Sequence, residues 1–144
     1  MHNGKAPVGG SFSIPVRVYY EDTDAGGVVY YANYLKFMER ARTEWLRGLG
    51  FEQDALSTQE GVIFAVRAVK VEFLKPGRFN DLLRATVSMT RRGGASLTFA
   101  QAVQRHATTL CEAEIKVACL DAASFVPRPI PRRILSQLER VNLS

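Results

Sequence analysis

Histidine and cysteine are scarce in this chain, and each shortage removes a class of chemistry. There are two histidines, His2 and His106. One sits in the N-terminal stretch and the other where a turn is expected, so neither serves as the base of a Ser–His–Asp triad. No G-x-S-x-G elbow supplies a serine either, and no His or Cys pair has zinc-ligand spacing. The two cysteines, Cys111 and Cys119, fall in one expected strand, about 26 Å apart at ~3.3 Å per residue. A disulfide needs Cα atoms within about 7 Å, so the two read as buried free thiols on one strand face. Long apolar runs are missing: none reaches the roughly 18 residues of a membrane-spanning helix. The Rossmann fingerprint and the phosphate-binding P-loop are absent too. The first residues, MHNGKAPVGGSFS, hold no apolar segment of secretory type, which points to the cytoplasm.

What is present suits one domain. The chain has 144 residues, 47% of them hydrophobic, enough for a core and too many for a disordered chain. Residues 1–12 read as a flexible tail and residues 13–144 as a single domain. The formal net charge of +5 favours anionic partners such as nucleic acid, phosphorylated cofactors or acidic lipid. The basic residues are spread out, apart from pairs at Arg91–Arg92 and Arg132–Arg133.

Taken in order, residues 14–20 alternate as a strand, with Ile14, Val16, Val18 and Tyr20 on one face. Pro15 belongs near its start or on an edge. Residues 21–27 form a loop containing Asp22, Asp24, Gly26 and Gly27. A long helix is expected from Tyr31 or Ala32 to Leu49, with Tyr34, Phe37, Met38, Ala41 and Trp45 as its apolar stripe. Gly50 suits its left-handed terminus, and Phe51 can fold back onto the last turn. Glu39 and Arg42, one turn apart on the flank, read either as a surface pair or as a partly buried pair at a subunit contact. Four strands follow, within 62–74, 83–90, 96–103 and 109–120, separated by hairpin-sized turns. A short amphipathic helix carrying Ile134, Leu135, Leu138 and Val141 closes the chain. One aromatic-faced helix has to bury that face against the sheet. The fold class is therefore α+β, a five-stranded antiparallel sheet wrapped around one long central helix, with open edges that favour subunit pairing.

The acidic loop is the candidate site. As a calcium loop it fails: the fifth position is Gly26 and the twelfth is Asn33, where a bidentate Glu is needed. A carboxylate mechanism remains. Asp24 can act as general base toward water or attack an acyl carbon itself, beside the free N–H groups of a helix N-terminus. Residue chemistry alone leaves the other reading open, in which Asp22 and Asp24 only stabilise the turn or cap the helix.

The run RVYYEDTDAGGVVYYANYL over 17–35, with MERAR over 38–42, resembles the signature of the hotdog-fold thioesterases of the 4-hydroxybenzoyl-CoA thioesterase family. Within it, the chain is most similar to the YbgC-type acyl-CoA thioesterases associated with the Tol–Pal system. The similarity extends to V-x-F-x-x-P over 71–76 and R-G-x-x-S-L-x-F over 92–99. The resemblance implies a hotdog fold and hydrolysis of an acyl-CoA thioester. Asp24 would be the catalytic carboxylate and the Tyr31 backbone N–H the oxyanion donor. Many YbgC-type members carry His at the position of Tyr31; a backbone donor is indifferent to that change. Tyr30 and Tyr34, with Phe37, are candidates for the acyl pocket. Arg91 and Arg92 are candidates for the phosphates of coenzyme A, which is substrate, so no cofactor is expected. Homodimers or homotetramers are implied, with the site at a subunit interface. Two other readings stay in view: a non-enzymatic partner of acyl carrier protein or envelope-lipid enzymes, and a hotdog dehydratase. Dehydratases rely on a histidine, which this loop and helix lack. Nucleic-acid binding is not expected, because no basic and aromatic platform is evident.

Overall fold

The computed structural model describes residues 12–144. The elements are β1 (Phe12–Arg17), α1 (Ala32–Gly48), α2 (Gln53–Ala55), β2 (Val62–Phe73), β3 (Leu82–Arg92), β4 (Ser96–Arg105), β5 (Thr108–Asp121) and α3 (Arg132–Leu138). The sheet order is β1-β3-β4-β5-β2, and every neighbouring pair is antiparallel. The sheet wraps around α1, which is the hotdog arrangement. Among the described residues no helix is long and apolar enough to cross a membrane.

The stripe on α1 becomes the centre of the core. Tyr34, Phe37, Met38, Ala41 and Trp45 are all buried. They meet the inward rows of the sheet, Leu83, Ala85, Val87 and Met89 on β3, Leu97, Phe99 and Val103 on β4, and Ile115 and Val117 on β5. Each large side chain buried this way contributes about 1.5–3 kcal/mol. Past the C-cap Leu49, α1 is closed by Gly50, which adopts φ 99°, and the Phe51 N–H reaches back to the Leu46 carbonyl at 3.2 Å. Both are the closure expected from the Gly-Phe pair. Cys111 and Cys119 are buried and unpaired on β5, and burial pushes the Cys111 thiol up to about 12.

Two local expectations need correction. β1 begins at Phe12, the last residue assigned to the tail; Phe12 is buried and sits opposite Val87. The rest of the expected tail, 1–11, lies outside the described residues. β1 also ends at Arg17, not Tyr20. The chain leaves the sheet because the Asp22 carboxylate accepts the Tyr19 N–H at 2.8 Å and winds Tyr20–Asp22 into a 3₁₀ turn. Tyr20 is thereby 80% exposed instead of continuing the inward row. Glu39 and Arg42 share no hydrogen bond or ion pair among the described residues, but Arg42 is partly buried and the Glu39 charge acts on it. The Arg42 guanidinium donates to Gln101 Oε1 at 2.9 Å, and burial draws its pKa down. Gln101 itself is buried, donating to the carbonyls of Met38 and Thr86 at 3.0 Å each.

β2 is an edge strand with a bulge between Val66 and Ala68. A bulge shifts the side-chain parity by one residue. Val62, Phe64 and Val66 therefore share a face with Val69, Val71 and Phe73. Val66, Val69 and Phe73 stay exposed at 50%, 39% and 46%, an apolar row along an edge with no strand partner among the described residues.

Candidate active site

The loop ahead of α1 is a small hairpin. Thr23 bridges Val29, the Asp24 N–H donates to the Val28 carbonyl at 2.9 Å, and the Gly27 N–H donates to the Asp24 carbonyl at 3.0 Å. Residues 25–27 are the three-residue tip, a turn closed by a left-handed residue. The two glycines do different jobs there. Gly27 has φ 80°, a conformation costly for other residues. Gly26 donates its N–H to Asp24 Oδ1 at 2.8 Å. A Cβ on Gly26 would lie 3.2 Å from that oxygen, so the bare backbone lets the carboxylate fold onto it. Asp24 is exposed, and among the described residues its second oxygen has no protein partner.

The other arm of the hairpin delivers the helix. The Tyr30 N–H donates to the Asp22 carbonyl at 2.9 Å, and the Tyr30 carbonyl accepts the Asn33 N–H at 2.8 Å. Tyr31 stands at the N-cap of α1 with helical φ and ψ. Its own N–H has no acceptor among the described residues, as befits the first turn of a helix. One short hairpin thus carries an exposed carboxylate and an unused helix-terminal N–H, seven residues apart in the sequence.

A second loop braces this one from behind. The Val29 N–H donates to the Gly77 carbonyl at 2.8 Å, and Val28 bridges Arg78. The Gly77 N–H donates to the buried Tyr34 hydroxyl at 2.8 Å. This loop is held in turn by Asp81, which accepts the Arg78 N–H at 2.9 Å and the Arg105 guanidinium at 2.9 Å. Burial pushes the Asp81 carboxyl up, but these donors outweigh it and the net shift is downward.

The remaining sequence candidates fall in two groups. Tyr30 and Tyr31 are half exposed, their rings tilted by 43° with centroids 4.8 Å apart, and Tyr31 meets Phe73 of β2 edge-on at 5.7 Å. A side-chain hydrogen bond with Tyr31 raises the Tyr30 phenol pKa. Tyr34 is buried, 3% exposed, its ring 5.9 Å from Phe73; burial raises its pKa. Arg91 and Arg92 are not brought to the hairpin within the chain. They end β3, whose other end, Leu82, adjoins the bracing loop. The nine steps from Leu82 to Arg91 span about 30 Å at ~3.3 Å each. Arg92 donates instead to the Leu138 carbonyl at 3.3 Å.

One contributor was not singled out from the sequence, and a second polar group lies away from the hairpin. Asn33, 9% exposed, donates its side-chain amide to the Asp22 carbonyl at 2.9 Å. Its signal was a polar residue of poor helix propensity just inside the helix start. Trp45 is buried, and its indole N–H lacks an acceptor among the described residues. It lines a cavity of about 300 Å³ with Glu39, Arg42, Phe64 and Val66.

Comparison with known proteins agrees with the architecture. Over 130 residues, 90% of this chain and 96% of the relative, the sequence is 47% identical to the acyl-CoA thioester hydrolase YbgC of Escherichia coli O6:H1. It is 43% identical to the acyl-CoA thioesterase YbgC of Haemophilus influenzae, over 85% of this chain and 90% of that one. The crystal structure of a probable thioesterase from Bartonella henselae superposes with a TM-score of 0.81 at 34% identity, covering 84% of this chain and 99% of that chain. The thioesterase superfamily model matches residues 26–112. That match begins two residues after Asp24. On this evidence the chain belongs to the thioesterase superfamily.

Proposed function

We propose that this protein hydrolyses acyl-CoA thioesters to the free acid and coenzyme A, with Asp24 as the reacting carboxylate and the Tyr31 N–H as the oxyanion donor. The observation that carries this reading is the hairpin, which joins an exposed carboxylate to an unbonded N–H at the α1 N-terminus. A thioester suits so sparse a site, because thiolate leaves without acid assistance. Asp24 either takes a proton from the attacking water or attacks the carbonyl carbon itself. In the second route a mixed anhydride forms, CoA thiolate departs, and water then cleaves the anhydride. A single oxyanion donor is worth about 2.7–4 kcal/mol in such a transition state.

The site is completed by a second copy of the chain. The unpaired edge of β2 and its exposed Val66, Val69 and Phe73 favour pairing, as a homodimer or a homotetramer. Antiparallel pairing sets the Phe73 end of one β2 beside the Val62 end of the other. The far ends of β3 then approach the partner's hairpin, so Arg91 and Arg92 reach CoA phosphates from the second copy. Tyr30 borders the acyl entrance, and Tyr34 supports it from the core. The net charge of +5 fits CoA phosphates and an acidic acyl carrier protein alike. A cytoplasmic setting and an association with the Tol–Pal system are part of this proposal.

The test is free-thiol release from short, long and aromatic acyl-CoAs, and from acyl carrier protein thioesters, by wild type and Asp24→Asn. The variant should fold normally and lose turnover; retained turnover sinks the mechanism. In a single turnover in ¹⁸O water, label in the Asp24 carboxylate marks an anhydride opened at the Asp24 carbonyl carbon, an outcome the general-base route does not produce.

A further inference from the structure

We infer that Asn33 is a positioning residue, whose side-chain amide fixes the separation between the Asp24 carboxylate and the Tyr31 N–H; this rests on the thioesterase reading. Asn33 is the residue that grips both halves of the site. Through its side chain it holds the Asp22 carbonyl at 2.9 Å, two residues before Asp24. Through its backbone N–H it holds the Tyr30 carbonyl at 2.8 Å. That carbonyl and the Tyr31 N–H belong to one planar trans peptide and point in opposite directions. Fixing the carbonyl therefore aims the N–H. The Asp22 carbonyl also accepts the Tyr30 N–H at 2.9 Å, so two donors pin one oxygen at the hairpin's base.

Helix formation does not explain an asparagine here, because alanine is the better former. Nor does the Asp22 carbonyl depend on it for satisfaction. Without the Asn33 amide that oxygen keeps the Tyr30 N–H, and no buried acceptor is orphaned. Loss of the amide thus loosens the hairpin against α1 while the fold retains its other bonds. Reacting groups tolerate such slack poorly: a displacement of about 1 Å costs on the order of 100-fold in rate.

The experiment compares wild type, Asn33→Ala and Asn33→Asp in acyl-CoA hydrolysis, with denaturant unfolding of each. Asn33→Ala should lower kcat by roughly 10- to 100-fold, with KM close to wild type and an almost unchanged midpoint. Asn33→Asp keeps the shape but donates only when its carboxyl is protonated. Its kcat, taken as a ratio to wild type at each pH, should rise as pH falls, whereas the ratio for Asn33→Ala should stay flat. The ratio cancels the titration of groups common to both proteins. A folded Asn33→Ala with wild-type kcat overturns the inference, as does an Asn33→Asp ratio that does not move with pH. Failure of the thioesterase reading looks different, since wild type itself would then release no thiol.

Discussion

Replacing Tyr34 with Phe removes one oxygen and asks what that oxygen is for. As an acyl-pocket residue, Tyr34 would act on substrate; in the structure its hydroxyl accepts the Gly77 N–H at 2.8 Å in a buried setting. Phenylalanine fills the same volume, so no cavity opens, but the Gly77 N–H loses its acceptor. A buried donor left unsatisfied costs about 1–3 kcal/mol. For a domain of this size each kcal/mol moves the melting temperature by about 3–4 °C, so the expected loss is roughly 3–12 °C. Denaturant unfolding should show a lower midpoint with the same slope, the mark of lost stability without a changed unfolded state. KM across acyl-CoA lengths should stay near the wild-type value, because the oxygen faces the bracing loop. Modest loss of kcat follows if Gly77 relaxes, since its carbonyl holds Val29. An unchanged midpoint with an altered KM would refute the reasoning and return Tyr34 to the substrate.

Four further outcomes follow from the same geometry. Gly27→Ala places a Cβ at φ 80° and should cost about 1–2 kcal/mol of stability; Gly26→Ala, 3.2 Å from Asp24 Oδ1, should instead lower kcat with little change in unfolding midpoint. Asp81→Asn should destabilise at neutral pH. Because the folded carboxyl is depressed, its contribution is present above the unfolded value near 3.9 and is lost as pH falls through the folded value. Urea midpoints of variant and wild type should therefore converge in acid. Val69→Lys charges the exposed apolar row on the β2 edge and should shift the protein toward monomer in light scattering, with loss of turnover as the second copy leaves.

The parts of the fold that depend on neighbours in sequence were legible. α1 announced itself through five inward side chains at helical spacing and ended where Gly50 and Phe51 said it should. β3, β4 and β5 were visible because one face is wet and the other dry, which imposes a period of two. The errors occurred where a non-periodic bond intervened. Alternation ran on through Tyr20, but the Asp22 carboxylate turns the chain at Tyr19. The β2 bulge was invisible, since one extra residue between Val66 and Ala68 leaves a continuous β-branched run on paper. Phe12 was hidden by its glycine- and serine-rich surroundings, although it fills a place opposite Val87. In the hairpin, the bend at Gly26 and Gly27 could be read because turn chemistry is local. Asn33 to Asp22, at eleven residues, and Tyr34 to Gly77, at forty-three, could not.

The division between local and long-range bonds bears on which positions can vary under the proposed mechanism. The oxyanion donor is a backbone N–H, so its presence depends on helix geometry and on the fixed Tyr30 carbonyl. The Tyr31 side chain points elsewhere, toward Tyr30 and Phe73, and is 58% exposed. A histidine there keeps the donor and changes only what lines the entrance. Gly26 and Gly27 have no such latitude, because one must admit a carboxylate oxygen and the other a left-handed backbone. Asn33 has little, because a shorter side chain does not span to Asp22 and a longer one has no room at 9% exposure. The residues that least resemble catalysts are therefore the ones the chemistry constrains most, while a tyrosine at the centre of the site is free to differ.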